Sequence, residues 1–277
     1  MNINPTLAFK ANEELSIGLG LNFMYMKAEL TNSIDCGAFL GSPQNRDGFA
    51  RLKGDSWGFG FNLGILYEFT KNTRFGLSYR SKVKQKLEGN AYFYDIPSPL
   101  NLLPNFQDDK INSIIKLPDT LSLSFYHDVN DKLSLMTDIT WTGWKTLNEI
   151  RIRFQNGRPD SVITTSWNNS MRYSIGASSK INEKLTLRTG IAYDETPIPD
   201  AKHRTPRIPD TDRFWIALGA GYKFSDRLTA DIGYVHIFFK DSHIDKEPVE
   251  EDRYRGGLKG SYKGSVDIIG VQLTYNF

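Results

Sequence analysis

The chain has 277 residues, with 34 Lys+Arg against 32 Asp+Glu and a formal net charge of +2, so there is no bulk electrostatic case for binding nucleic acid. Mean hydropathy is −0.42 and no run approaches the ~20 consecutive apolar residues of a membrane-crossing helix, which excludes a helical membrane protein. One cysteine, Cys36, and four histidines exclude an internal disulfide and are poor material for a metal site; no cofactor motif is found either.

Aromatic residues make up 13% of the chain, led by 17 Phe and 13 Tyr, and 23 Gly accompany them, a mixture suited to strands and tight turns. Stepping in twos predicts about eleven strands. The first runs around residues 3–10. In the second, Leu15, Ile17, Leu19, Leu21, Phe23 and Tyr25 share a face opposite Ser16, Gly18, Gly20 and Asn22. The clearest places Trp57, Phe59, Phe61, Leu63, Ile65 and Tyr67 opposite Gly58, Gly60, Asn62 and Gly64. The alternation returns at Phe75/Leu77/Tyr79, Leu121/Leu123/Phe125, Met171/Tyr173/Ile175, Leu187/Ile191/Tyr193, Phe214/Ile216/Leu218 and Ile232/Tyr234. It ends with Ile269, Val271, Leu273, Tyr275 and Phe277 on one face.

The connections set the architecture. Short polar ones at 12–14, 71–73, 130–132, 182–184 and 225–227 alternate with long ones near 32–50, 93–112, 156–167, 197–211 and 242–262. All tight turns therefore lie at one end of the sheet and all long loops at the other, the layout of an outer-membrane barrel rather than a Greek-key sandwich. The expected fold is all-β, an antiparallel transmembrane β-barrel occupying residues 1–277 as a single domain. Residues such as Tyr25, Tyr67, Trp141, Tyr193 and Tyr275 are expected in its aromatic girdles. An odd number of antiparallel strands leaves the first and last parallel, and open edges in lipid are costly. At least one upstream strand is therefore expected to be missing, and no signal peptide is read at the N-terminus.

Several strings resemble the FadL-type outer-membrane transporters. They are Asn4-Pro5-Thr6-Leu7-Ala8, Gly54-Asp55-Ser56-Trp57-Gly58-Phe59-Gly60, Leu77-Ser78-Tyr79-Arg80-Ser81, Leu117-Pro118-Asp119 and Thr142-Gly143-Trp144. Further along come Arg188-Thr189-Gly190-Ile191-Ala192-Tyr193-Asp194, Pro197-Ile198-Pro199 and Pro209-Asp210-Thr211-Asp212-Arg213-Phe214-Trp215. The resemblance implies a fourteen-strand barrel plugged by an N-terminal hatch, of which the eleven strands here would be the last. It also implies passive uptake of hydrophobic compounds in the bacterial outer membrane: long-chain fatty acids, or aromatic hydrocarbons in some branches. Expected partners are the hydrophobic ligand, outer-membrane lipids and the barrel insertion machinery, which the terminal Leu273, Tyr275 and Phe277 would engage.

With the aromatic face towards lipid, the lumen would receive Arg74, Arg80, Lys82, Lys84, Asp138, Arg172, Arg188, Asp194, Arg213, Lys223 and Asp231. Such charges must be paired or solvated. One reading is mutual ion pairs; the other assigns Arg80, Lys82 and Lys84, near the long-loop end, to a ligand carboxylate. Met24, Met26 and Phe106, with Phe39, Leu40, Leu100, Leu102 and Leu103, would supply an apolar groove. In the family's upper pocket, basic residues sit in loops where this sequence offers Asn32, Thr164 and Thr165, and no base stands out. The segment 194–215, rich in Asp, Arg and Pro, is expected to be a structural clamp at the mouth. No metal ligand set and no catalytic residue is assigned. A lipase-type outer-membrane enzyme would need a serine beside one of His127, His203, His236 or His243, and no serine lies in a matching motif. A passive porin and an inactive barrel fragment remain as further alternatives.

Overall fold

A computed structural model describes residues 1–253 and 255–277. Its strands, in chain order, are β1 (Asn2–Ile3), β2 (Thr6–Lys10), β3 (Leu15–Asp35), β4 (Asp47–Thr70), β5 (Thr73–Arg80) and β6 (Val83–Tyr94). There follow β7 (Asp109–Leu117), β8 (Thr120–Asp128), β9 (Leu133–Thr142), β10 (Glu149–Phe154), β11 (Ser161–Thr164) and β12 (Ser170–Lys180). The last six are β13 (Leu185–Asp194), β14 (Arg213–Lys223), β15 (Leu228–Phe239), β16 (Ser242–Lys246), β17 (Leu258–Tyr262) and β18 (Ser265–Tyr275). All but β16 and β17 join one 16-stranded antiparallel sheet, a meander in which each pass pairs with its sequence neighbour. Several passes are single strands broken midway, such as β5 with β6 and β7 with β8, so the wall is crossed eleven times. Among the described residues no pairing joins β2 to β18, so the sheet curves without closing.

The short turns form where the sequence places them, and their first polar side chain explains why. Asn12 Oδ1 accepts from the backbone N–H groups of Glu14 and Leu15, at 2.9 and 2.8 Å. Asn130 and Asn182 repeat this with Lys132/Leu133 and Lys184/Leu185, and Ser225 Oγ does so with Arg227/Leu228. Each side chain mimics a backbone turn and satisfies two N–H groups at the hairpin tip. The long connections are shorter than expected, because strands run into them: β3 continues to Asp35, β4 starts at Asp47, and β16 and β17 form a hairpin inside 242–262, where Tyr254 is outside the described residues.

The two faces separate as the alternation requires. Leu19, Leu21, Phe59, Leu63, Leu123, Ile175, Leu218 and Ile232 are all exposed on the outer face. Opposite them, Asn4, Asn22 and Asn62 join the break between β1 and β2 to β3 and β4 by side-chain hydrogen bonds of 2.7–3.1 Å. Asn22 is 1% exposed and its amide is satisfied on both sides, as a buried polar group must be.

Farther towards the long loops the polarity of the wall reverses. The outer positions of β3 and β4 become Lys27, Glu29, Lys53 and Asp55, aligned as Lys27↔Asp55 and Glu29↔Lys53. The inner positions become Ala28, Leu30, Leu52 and Gly54, which with Leu87, Ile111, Ile115, Ile150 and Ile152 line a small apolar cavity. This upper part of the wall is built like a soluble protein, with its core inside. Beside it Leu147, Trp167 and Ile198 are buried together, with Trp144, Ile115 and Ile150 packed against them.

Gly54 and Gly89 stand directly opposite each other between β4 and β6. A Cβ on Gly89 would collide with the Lys53 carbonyl oxygen and stand 2.6 Å from Gly54 Cα. Gly89→Ala is expected to destabilise the wall by about 1–3 kcal/mol, the cost of overpacking. It should lower the temperature at which the folded band is lost in heat-modifiable gel electrophoresis. Gly64→Ala, where a Cβ meets nothing within 4 Å, should leave that temperature unchanged.

Candidate functional site

The concave inner face carries a cavity of about 720 Å³, within the range of small-molecule sites. It is lined by Arg74, Tyr126, Met136, Asp138, Arg172 and Trp215 among others, drawn from adjacent passes of the wall. Small residues make the room: Gly76, Gly176, Gly190, Ala192 and Ala217 face the same space.

The charges around this cavity divide into two kinds. Arg188 is bound to Asp231 at 2.7 Å, and Arg213 to Asp194 at 2.8 Å and Asp210 at 3.3 Å. Asp138 accepts from Ser124 Oγ at 2.7 Å and Thr140 Oγ1 at 2.8 Å. Arg74 and Arg172 differ. Among the described residues neither has a carboxylate within 4 Å; Arg74 lies 4.4 Å from the Tyr126 ring centroid and Arg172 5.5 Å from that of Trp215. The Trp215 indole N–H is buried with no hydrogen-bond partner. Two guanidinium groups held over aromatic faces thus border a mostly apolar space whose other polar lining is Ser124, Thr137, Asp138 and Ser174.

A second constellation lies at the mouth. Phe106 meets Phe39 edge-on at 5.8 Å and Phe93 at 6.4 Å. The turn after β10 folds Arg158 back onto this cluster: Asn156 Oδ1 accepts from the Arg158 N–H, and Gly157 takes a φ of 78°, which a glycine adopts without strain. The Arg158 guanidinium sits 3.6 Å from the Phe154 ring centroid and 4.7 Å from that of Phe93, and donates to the Asn105 carbonyl. Its Nε and Nη2 groups are buried and have no partner among the described residues. Burial lowers its pKa from the ordinary value, yet an arginine stays charged at neutral pH. Nearby, outside the membrane-spanning part, hydrogen bonds from Arg151 hold the Glu149 carboxyl below its ordinary range.

None of Met24, Met26, Arg80, Lys82, Lys84 and Phe106 lines the large cavity. Met24 and Met26 are half-buried on the inner face of β3, and Gln85 Nε2 donates to the Met24 carbonyl at 3.2 Å. Arg80 faces inward, opposite Asn62 and Thr120. Lys82 and Lys84 do not share its face. The β4 register changes from Asn62↔Arg80 to Asp55↔Glu88, a slip of one residue. Ser81 causes it: its N–H donates to the Phe61 carbonyl, while its Oγ accepts the Phe61 N–H at 2.8 Å. A one-residue slip turns every later side chain over. Val83, Gln85 and Leu87 are consequently buried inside, and Lys82, Lys84 and Lys86 are exposed outside.

Arg158 and the pair Arg172–Trp215 are the features sequence reasoning missed as a site. The Asn156-Gly157 turn before Arg158 was the available signal for the first of these. The segment 194–215 is a clamp: besides the Arg213 pairs, Arg204 donates to the carbonyls of Asp210 and His243, and Arg207 reaches Thr31 at 3.4 Å across the mouth. His127, His203 and His236 are held by Thr73, Asp200 and Asp267.

A family profile described as outer membrane protein transport protein (OMPP1/FadL/TodX) matches residues 1–277. Outer membrane protein P1 of Haemophilus influenzae is 32% identical over 308 residues, taking in 100% of this chain and 65% of its own length. A long-chain fatty acid transport protein of Salmonella typhi is 30% identical over 296 residues, taking in 100% of this chain and 66% of its own. The chain thus spans about two thirds of the length of these relatives. The crystal structure of a Pseudomonas aeruginosa FadL homologue superposes with a TM-score of 0.89 at 26% identity, covering 99% of this chain and 67% of that one. The P. putida toluene transporter TodX shares the fold, with a TM-score of 0.66 at 18% identity over 100% of this chain and 69% of its own. The family described by the profile is one of transport channels rather than enzymes, and nothing among these relatives favours the lipase-type alternative. With the alternating wall and the family profile agreeing from end to end, the chain belongs to the OMPP1/FadL/TodX family of bacterial outer-membrane transport proteins.

Proposed function

We propose that this chain forms most of the wall of a passive outer-membrane channel for hydrophobic compounds, and that its ligands are long-chain fatty acids. The observation carrying the fatty-acid reading is the state of Arg74 and Arg172. Arg188 and Arg213 are held in close ion pairs by Asp231, Asp194 and Asp210, whereas Arg74 and Arg172 border the 720 Å³ cavity with no carboxylate of the described residues within 4 Å, although Asp194 stands opposite Arg172 in the ladder and Asp128 acts on Arg74 from further off. A ligand carboxylate supplies the close ion pair that neither guanidinium has. The apolar lining takes the acyl chain, and burial of apolar surface at roughly 25 cal/mol per Å² supplies the driving force for entry. Relatives named long-chain fatty acid transport protein, at 29–30% identity, support the same reading.

In this scheme the mouth acts first. Phe39, Phe93 and Phe106 offer an apolar surface beside the Arg158 guanidinium, whose charge attracts the head group of an incoming ligand. Met24, Met26 and Arg80 lie along the inner wall and serve passage rather than capture. An aromatic-hydrocarbon channel is the second reading, favoured by the shared fold with a monoaromatic hydrocarbon channel at a TM-score of 0.68. It leaves the two arginines that have no close ion pair without a role.

Arg172→Ala and Arg74→Ala are each expected to weaken binding of a long-chain fatty acid about ten- to a hundredfold, the worth of hydrogen bonds to a charged group. Competition against a fluorescent fatty acid on the purified protein measures this; binding of toluene should be unchanged. Equal affinity for a fatty acid and the fatty alcohol of the same length would overturn the carboxylate reading. Arg158→Ala should slow capture at low ligand concentration, read from the initial rate of uptake, and leave the rate at saturating ligand close to the unsubstituted value.

A further inference from the structure

The register slip at Ser81 leaves a set of lysines on the outside of the wall. Lys84 and Lys116 stand directly opposite each other between β6 and β7, and Lys86 faces Ile114 in the next pair. Side by side on adjacent strands, like charges destabilise a sheet unless something neutralises them. Among the described residues none of Lys84, Lys86 and Lys116 has a carboxylate within 4 Å, and all three are exposed. Arg51 is paired with Glu29, Arg151 with Glu149 and Asp160, Lys240 with Asp212 and Lys263 with Asp241, and Lys27 and Lys53 each stand opposite an acidic residue in the β3–β4 ladder rather than opposite another lysine. The cationic strip is narrow, because Asp55 and Glu88 face each other just beyond it on the same side.

Its height on the wall is fixed by Asp119. That carboxylate accepts from the Tyr79 hydroxyl at 3.3 Å and stands 3.7 Å from Lys82 Nζ. Tyr79 belongs to the outer aromatic face, packed at 6.0 Å against Phe61. The lysines therefore begin where the apolar belt ends, on its long-loop side. An aromatic girdle marks the boundary between hydrocarbon and head groups. Three unmatched cations directly above an apolar wall complement a lipid whose acyl chains lie along the belt and whose head group carries phosphate.

We propose that Lys84, Lys86 and Lys116 form a docking site on the outer wall for the phosphorylated head group of an outer-leaflet glycolipid. The lipid's phosphate bridges Lys84 and Lys116 and removes their repulsion, with Lys86 above them on the long-loop side, while its acyl chains lie along the belt below, at Tyr79 and Phe61. The site is independent of the lumenal cavity and of what passes through it.

The test is native mass spectrometry of the detergent-solubilised protein titrated with a bis-phosphorylated acylated disaccharide lipid. The variant Lys84→Gln/Lys116→Gln removes the facing pair, and Lys240→Gln/Lys263→Gln removes two outer cations that already have partners. The first double variant is expected to weaken lipid binding about tenfold and the second to leave it unchanged. The dephosphorylated lipid should bind the unsubstituted protein as weakly as the phosphorylated lipid binds the first variant. Equal retention of the phosphorylated lipid by the unsubstituted protein and by the first variant would overturn the proposal. Displacement of the lipid by the same concentration of inorganic phosphate would overturn its assignment to a membrane lipid.

Discussion

The medium outside the wall changes along each strand, from hydrocarbon to water, and the inner face must answer that change. Where hydrocarbon is outside, apolar side chains belong outside and polar ones can turn inward. Where water is outside, the only place left for an apolar core is within. Strands β3 and β4 meet this demand through composition. Their register never shifts over the paired residues, and the outer residues pass from leucine and phenylalanine to lysine and glutamate. The pass made of β5 and β6 meets it by geometry, with one extra residue that turns its side chains over.

Such a slip has to be satisfied at the backbone, since an unpaired N–H in this setting is costly. Neighbouring passes break at the same stage, each with its own substitute partner. Phe61 N–H finds Ser81 Oγ, Gly143 N–H finds the Asp119 carbonyl, and Thr165 and Ser166 both donate to the Asn148 carbonyl. Gly143 is required here because a Cβ would collide with the Asp119 carboxylate. The interruptions let the upper wall bend inward over Leu147, Trp167 and Ile198, while the lower wall stays a plain ladder.

Much of this could be read directly from the residues. Within an unbroken strand the two-residue period is rigid, so Trp57 to Tyr67, Phe214 to Leu218 and Ile269 to Leu273 announce their outer face. Asn12, Asn130 and Asn182 announce the tight turns. What escaped was the slip at Ser81, because Arg80, Lys82 and Lys84 continue an apparent alternation and nothing in that string marks the lost step. That Arg74 and Arg172 lack a close ion pair escaped for another reason. Composition shows how many charges face inward, but pairing depends on which strands lie side by side and at what height, as with Arg188 and Asp231, 43 residues apart.

The meander order has a consequence for how the protein assembles. Every pass pairs with the one before it, so each new ladder closes only a short loop and little chain entropy is lost at any single step. The ties across the mouth are of another kind. Arg207 meets Thr31 over 176 residues, and Glu251 receives the Thr164 N–H and hydroxyl over 87. These contacts exist only once the sheet has curved enough to bring distant strands together. The wall can therefore zip up hairpin by hairpin, and the straps across its mouth are fastened last, as a check that the curvature is right.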